Sequence, residues 1–245
     1  MCGRYDLSEA GRTLRIGDFE LILAGTRPRY NIAPLQWAPV VRAGGEGPVL
    51  EELRWGLLPS WARDEKLASR CINARAESVA TNPIFRNAFA RRRCLVPADG
   101  YFEWQRSDRT RTPWRFVRAD RQPILFAGLW EYWRGPGAEG GPGLPTFTIL
   151  TTRPNAEAGR IHDRMPVIVD PDRAPLWLDT SAPRDAVLEL TQPPPDGLLH
   201  AYRVSPVVNS SRNDVPECVR PRTPDEVPAR SPFPAGDEPS QLTLF

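Results

Sequence analysis

Proline occurs 28 times and glycine 18 times in 245 residues, and this punctuation limits every element the chain can build. Proline fixes φ and removes a backbone donor, and glycine admits tight turns, so loops must be abundant and regular elements short. Hydrophobic residues, at 40%, still supply a globular core. β-Branched and aromatic runs predict strands near 36–42, 48–55, 92–97, 100–106, 113–118, 123–133, 146–152 and 166–169. Helices are expected near 83–91, 155–161, 172–178 and 184–191, starting at Asn82-Pro83, Asn155, Asp170-Pro171 and Pro183. The alternating segment 113–118 reads as one arm of a hairpin, turned by Asp120-Arg121-Gln122 and returned by 123–133. Short strands with few helices between them argue for an α+β fold, a single domain on an antiparallel, barrel-like sheet with flanking short helices. That domain is expected over residues 2–222, and the Pro- and acid-rich segment 223–245 as a disordered tail.

No apolar run approaches the roughly 18 residues of a membrane span. The opening Met1-Cys2-Gly3-Arg4-Tyr5-Asp6 lacks the layout of a secretory signal, and four cysteines are too sparse for a disulfide scaffold. A cytoplasmic chain with reduced thiols, no membrane contact and a monomeric state is expected. Cys2, Cys71, Cys94 and Cys218 show no paired spacing, so no metal site is expected, and no Gly-rich phosphate loop or cofactor motif occurs. The Gly- and Pro-rich stretch 135–143 reads as a flexible loop tip. Net charge is only +2, but residues 84–121 carry ten Arg against four acids, whereas 213–245 carry three Arg against six. That asymmetry suits either a solvated surface or a polyanion met on one face.

Lys66 is the only lysine, and its neighbours Asp64 and Glu65 favour its charged form. An α-amine has an intrinsic pKa of about 8 against about 10.4 for lysine, so the chain terminus is the better amine nucleophile. Removal of Met1 leaves Cys2 with a free amine beside its thiol. Such a 1,2-aminothiol captures an aldehyde twice, as a Schiff base and then as a thiazolidine. A chance cysteine is the plainer reading. Asn73 reads as a turn or capping residue, or as a site amide. Glu103 lies among Tyr101, Phe102 and Trp104. It is either a solvated acid on the outer face of a strand or a buried acid with a pKa suited to proton transfer. His162, one of two histidines, is structural or catalytic.

Together these segments resemble the SRAP (SOS response-associated peptidase) family. The resemblance rests on Cys2-Gly3-Arg4-Tyr5, Tyr30-Asn31-Ile32-Ala33-Pro34, Trp55-Gly56-Leu57-Leu58-Pro59-Ser60-Trp61 and Asn73-Ala74-Arg75-Ala76-Glu77. It continues through 94–104, Phe126-Ala127-Gly128-Leu129-Trp130-Glu131, Ile161-His162-Asp163-Arg164-Met165-Pro166 and Val204-Ser205-Pro206-Val207-Val208-Asn209. Phe102 and Arg153 are small departures from the family pattern. The resemblance implies a sensor of abasic sites in single-stranded DNA that shields them as a covalent thiazolidine crosslink through Cys2. Asn73 would orient the amine, Glu103 would act as general acid/base, and His162 would assist proton transfer. Self-cleavage is implied by the family name.

DNA contacts are expected from Arg4, Arg75, Arg86 and Arg164, with a hydroxyl contact from Thr151 and apolar stacking or wedging from Pro34 and Trp61. Core packing is the plainer role for Trp55, Trp61, Trp104 and Trp130, and about half of them are expected to fill it. The terminal Gln241-Leu242-Thr243-Leu244-Phe245 resembles the peptide by which bacterial proteins dock on the replication sliding clamp. Two other readings stay open. One is a cysteine or N-terminal-nucleophile peptidase acting on other proteins, and the other a non-covalent single-strand-binding module.

Overall fold

Five strands close on themselves in the computed structural model, which describes residues 2–9, 11–23, 26–106, 111–135 and 143–222. The strands, in chain order, begin with β1 (Tyr5–Leu7), β2 (Thr13–Ile16), β3 (Phe19–Ile22), β4 (Arg29–Ile32), β5 (Trp37–Ala43) and β6 (Pro48–Trp55). They continue with β7 (Asn73–Arg75), β8 (Arg93–Ala98), β9 (Gly100–Arg106) and β10 (Arg111–Arg118). The last are β11 (Ile124–Trp133), β12 (Leu144–Thr152), β13 (Met165–Pro166) and β14 (Leu199–Arg203). Short helices α1 (Arg86–Arg91), α2 (Ala156–Gly159), α3 (Ala174–Leu178) and α4 (Arg184–Glu189) fill the connections.

The barrel runs β11-β8-β5-β6-β12 and back to β11. Four of its pairings are antiparallel, but β12 meets β6 in parallel, Thr146 opposite Arg54 and Phe147 opposite Trp55. Short β7 also lies parallel to β12. Gly128 lets the wall close, because a Cβ there would stand 2.8 Å from the Cys94 sulfur and 3.1 Å from the Thr148 carbonyl oxygen. A second, fully antiparallel sheet, β14-β10-β9-β1-β4, packs on the barrel. Aromatic rings join the two layers. Tyr5 of β1 sits edge-on to Trp55 and Phe126, with centroids 5.3 and 6.0 Å away, and Tyr101 of β9 meets Phe126 at 6.0 Å.

The α+β architecture and the barrel-like sheet are as the sequence predicts, and the strands expected at 48–55 and 100–106 match β6 and β9. Asn155 caps α2 as expected, its side chain accepting from the Ala158 N–H. The 113–118 hairpin is corrected. β10 pairs with β9 and β14, whereas β11 pairs with β8 and β12. The turn crosses between the two sheets instead of folding one strand back on the other. β10 alternates in burial as a one-sided strand does, while β11 is buried almost continuously as part of the barrel wall. Strands β1 to β4, β7 and β14 carry three to five residues each and were not anticipated.

No helix among the described residues is long and apolar enough to cross a membrane. Most of the 135–143 loop and the whole of 223–245, including Gln241, Leu242, Leu244 and Phe245, lie outside the described residues.

Gly56 links the barrel to the loop that leads toward Asn73. Its φ is +121°, and a Cβ would lie 2.8 Å from the Ala68 carbonyl oxygen. Gly56→Ala is expected to cost about 2 kcal/mol in urea unfolding, since backbone strain and a backbone clash are added together.

Candidate active site

The pairing of β1 with β9 fixes the start of the chain. Tyr5 stands opposite Tyr101, and the Phe102 N–H donates to the Arg4 carbonyl. Continuing that register two residues brings Gly3 opposite Glu103. β7 approaches from the barrel side, held by β12 and by the Trp55 indole N–H, which donates to the Ile72 carbonyl at 2.7 Å. Asn73 Nδ2 donates to the Cys2 carbonyl at 3.0 Å. Asn73 Oδ1 is buried and accepts no hydrogen bond among the described residues. His162 follows α2, and its Nε2 lies 3.9 Å from Glu103 Oε2. The four residues singled out by sequence are therefore tied together in space, through Cys2 to Asn73 and through Glu103 to His162.

Their electrostatics differ. Cys2 is buried, and burial pushes its thiol well above the ordinary value. Glu103 is also buried, and loss of solvent, aided by the charge of Asp163, pushes its carboxyl up to about 7. A carboxylic acid that titrates near neutrality can both give and take a proton at working pH. The backbone N–H of Arg164 donates to His162 Nδ1 at 3.0 Å, which favours a ring proton on Nε2, while the Asp163 carboxylate stands 2.9 Å from the same nitrogen and favours the proton there.

Above these groups lies a groove of about 690 Å³, lined by Gly3, Arg4, Arg75, Glu103, Trp104, Arg111, His162, Asp163, Arg164 and Asn209. Its arginines fall into two kinds. Arg4 donates to Asn31 Oδ1 and the Val208 carbonyl, both at 2.8 Å, and Arg164 is forked by Glu77 at 2.6 and 2.9 Å. Arg75 and Arg111 are exposed and make no ion pair with a described residue; Arg111 lies 5.7 Å from the centre of the Trp104 ring. Trp104 Nε1 donates to Asn209 Oδ1 at 2.7 Å. Trp104, Arg111, Asn209 and Glu77 were not singled out as site residues. The first and last two lie inside the matched motifs, and Arg111 inside the basic stretch.

Other expected contacts sit elsewhere. Thr151 is buried, and its Oγ1 accepts from Arg164 at 3.3 Å, so the hydroxyl supports Arg164 and does not face the groove. Arg86 is exposed at the start of α1 and does not line the groove, nor do Pro34 and Trp61, the latter 56% exposed. Leu35, beside Pro34, has φ +69° and is exposed, a strained projection no sequence signal announced. Trp55 is in the core, and Trp130 lies 4.1 Å beneath the Arg42 guanidinium. The basic stretch is partly internal, because Arg93 and Arg118 are buried and Arg115 is half-buried. All four cysteines are buried and free, and no cluster of three metal-ligating side chains occurs among the described residues.

The sequence model of the SOS response associated peptidase (SRAP) family matches residues 1–211. The abasic site processing protein YoqW of Bacillus subtilis is 40% identical over 224 residues, covering 89% of this chain and 99% of that protein. YoaM of the same organism, likewise named an abasic site processing protein, is 39% identical, with 89% and 96% covered. HMCES of Xenopus tropicalis, also so named, is 32% identical over 79% of this chain and 66% of its own. A crystal structure from Bacteroides thetaiotaomicron shares the fold at 24% identity, with a TM-score of 0.78 over 91% of this chain and all of that one. Another, from Bordetella bronchiseptica, has a TM-score of 0.66 at 26% identity, over 83% of this chain and all of that one.

Because the Glu103 carboxyl is raised from its ordinary 4.5 to about 7, the folded state holds its proton more tightly than the unfolded chain. Stability from this group is full below the ordinary value and is lost as pH rises through about 7. Glu103→Gln cannot ionise, so it is expected to gain up to about 3 kcal/mol on wild type between pH 5 and 8, read by urea unfolding at each pH.

Proposed function

This chain belongs to the SOS response associated peptidase (SRAP) family, and on that premise we propose that it processes abasic sites in single-stranded DNA by covalent capture. The observation that carries the reading is a buried acid titrating near neutrality beside the chain's second residue, at the floor of an arginine-lined groove.

Loss of Met1 converts the Cys2 amide nitrogen into a primary amine. Asn73 holds the Cys2 carbonyl through Nδ2, and its buried Oδ1, which accepts no hydrogen bond among the described residues, is assigned to orienting that amine. Glu103 gives a proton to the ring oxygen of the abasic sugar and takes the proton of the C1′ hydroxyl, so the ring opens to the aldehyde and the acid is restored. A thiol raised by burial stays protonated at neutral pH, so the amine attacks C1′ first. Glu103 protonates the departing hydroxyl, water leaves, and a Schiff base forms. Sγ then adds to the same carbon and its proton passes to the nitrogen, closing the thiazolidine. Overall an amine, a thiol and an aldehyde give the five-membered ring and one water. With C1′ no longer a carbonyl, the sugar cannot undergo strand-cleaving elimination. His162 Nε2–H faces Glu103 and stabilises its carboxylate between steps.

Arg75 and Arg111 are the phosphate contacts free at the outset, and Trp104 offers a flat apolar surface in the same groove. The same residues would serve any self-cleavage that exposes Cys2. The C-terminal Gln241, Leu242, Leu244 and Phe245 are proposed to bind the replication sliding clamp.

An oligonucleotide with one abasic site is expected to give a heat-stable shifted band with the processed protein and none with Cys2→Ala. Glu103→Gln is expected to slow its formation about a hundredfold. Cleavage of an added polypeptide without the band would favour a peptidase, and salt-sensitive binding indifferent to Cys2 a simple binding module. Deleting 241–245 is expected to abolish measurable clamp binding in a pull-down with purified clamp and leave the shifted band unchanged.

A further inference from the structure

We propose that Glu77, which the chemistry above does not use, is a positioning residue for His162 that acts through Arg164. The proposal rests on the capture reading for its kinetic consequence, but its structural core does not. Glu77 lies two residues past β7, with its carboxylate half exposed. Its two oxygens take both terminal nitrogens of Arg164, at 2.6 and 2.9 Å. One of those nitrogens also donates to the Thr151 carbonyl on β12. Residue 164 is thereby fastened to β12 and to the turn that follows β7.

What this fastening fixes is a single N–H. The Arg164 backbone donates to His162 Nδ1 at 3.0 Å, which makes Nδ1 an acceptor and puts the ring proton on Nε2. Asp163 Oδ1 competes for the same atom, 2.9 Å from Nδ1. A carboxylate can only accept, so it favours a proton on Nδ1, which would leave Nε2 bare toward Glu103. The two neighbours of His162 in sequence therefore pull its tautomer in opposite directions. The Asp163 side chain is 88% exposed and held loosely, whereas Arg164 is held by the Glu77 fork, and the fixed donor prevails. Loosening the fork hands Nδ1 to Asp163 and turns His162 from donor to acceptor toward Glu103.

The test is a tautomer measurement joined to kinetics. Long-range 1H–15N spectra of the imidazoles, taken above the titration of histidine, distinguish Nε2–H from Nδ1–H rings. His162 is one of only two histidines, so a His200→Asn variant assigns it. Wild type is expected to show Nε2–H, and Glu77→Gln a shift toward Nδ1–H. With processed protein and a single-stranded abasic substrate, Glu77→Gln is expected to lower the saturating capture rate about tenfold. Affinity for a strand carrying a tetrahydrofuran site, which has no aldehyde, is expected to change less than twofold. Adding Asp163→Asn supplies an amide donor to Nδ1 and is expected to restore both tautomer and rate. An unchanged tautomer in Glu77→Gln would overturn the proposal, as would tighter strand binding with an unchanged maximal rate, the sign of a mere counter-charge. If wild type captures no abasic strand, the capture reading fails, and the tautomer comparison still decides the role of Glu77.

Discussion

A chain terminus ordinarily frays, yet here the first strand is the middle of a sheet. β1 is only three residues long but lies between β9 and β4. Tyr5 is wedged among Trp55 and Phe126, and Asp6, fully buried, takes Arg115 in two charge-assisted hydrogen bonds at 2.9 and 2.7 Å. Leaving either partner of that buried pair alone would be strongly destabilising, so the pair enforces one register. The register in turn sets Gly3 against Glu103 and holds the Cys2 carbonyl at Asn73. The segment before β1 is thus positioned by backbone pairing and buried contacts of the strand that follows it, not by flexible side chains.

What was legible from residues alone follows the physics of each signal. Long runs such as 48–55 and 100–106 declare themselves as strands because a sheet face needs many consecutive residues of one pattern. β7 does not, because three residues, Asn73–Arg75, hold no period, and its order comes from β12 and the Trp55 indole. Pairing partners are also invisible locally. The turn after β10 looks like a hairpin turn, and only the continuous burial of β11 marks it as belonging to another layer. At the site, Cys2, Asn73, Glu103 and His162 were each ambiguous alone, and their common neighbourhood is a long-range fact. The acid Glu103 proved buried because both faces of β9 are covered, Tyr101, Phe102 and Glu103 being buried in succession, an outcome sequence could frame but not decide.

Arginine shows most clearly where residue identity stops being informative. Arg4 and Arg75 stand in equally prominent motifs, yet Arg4 is spent on Asn31 and the Val208 carbonyl, tying β1 and β4 to the segment after β14, whereas Arg75 is exposed. A guanidinium whose donors are already matched offers a phosphate little that is new, because bonds must break as others form. Groove affinity therefore depends on the uncommitted cations, and the committed ones contribute shape and background field.

The same division bears on how an arginine-lined groove can contain a carboxyl that titrates near neutrality. Glu103 sits in a groove bordered by four arginines, yet burial outweighs the lowering pull of the chain's amino terminus and the carboxyl titrates near 7. This is possible because Arg164 is already balanced by Glu77 and Arg4 is turned toward carbonyls, so neither is aimed at Glu103. Asp163 adds a like charge at the rim that works in the same direction as burial. Four unpaired arginines aimed at the carboxyl would favour its ionised form instead. Pairing Arg164 and turning Arg4 away while Arg75 and Arg111 stay exposed lets one groove carry positive charge beside a carboxyl that titrates near neutrality.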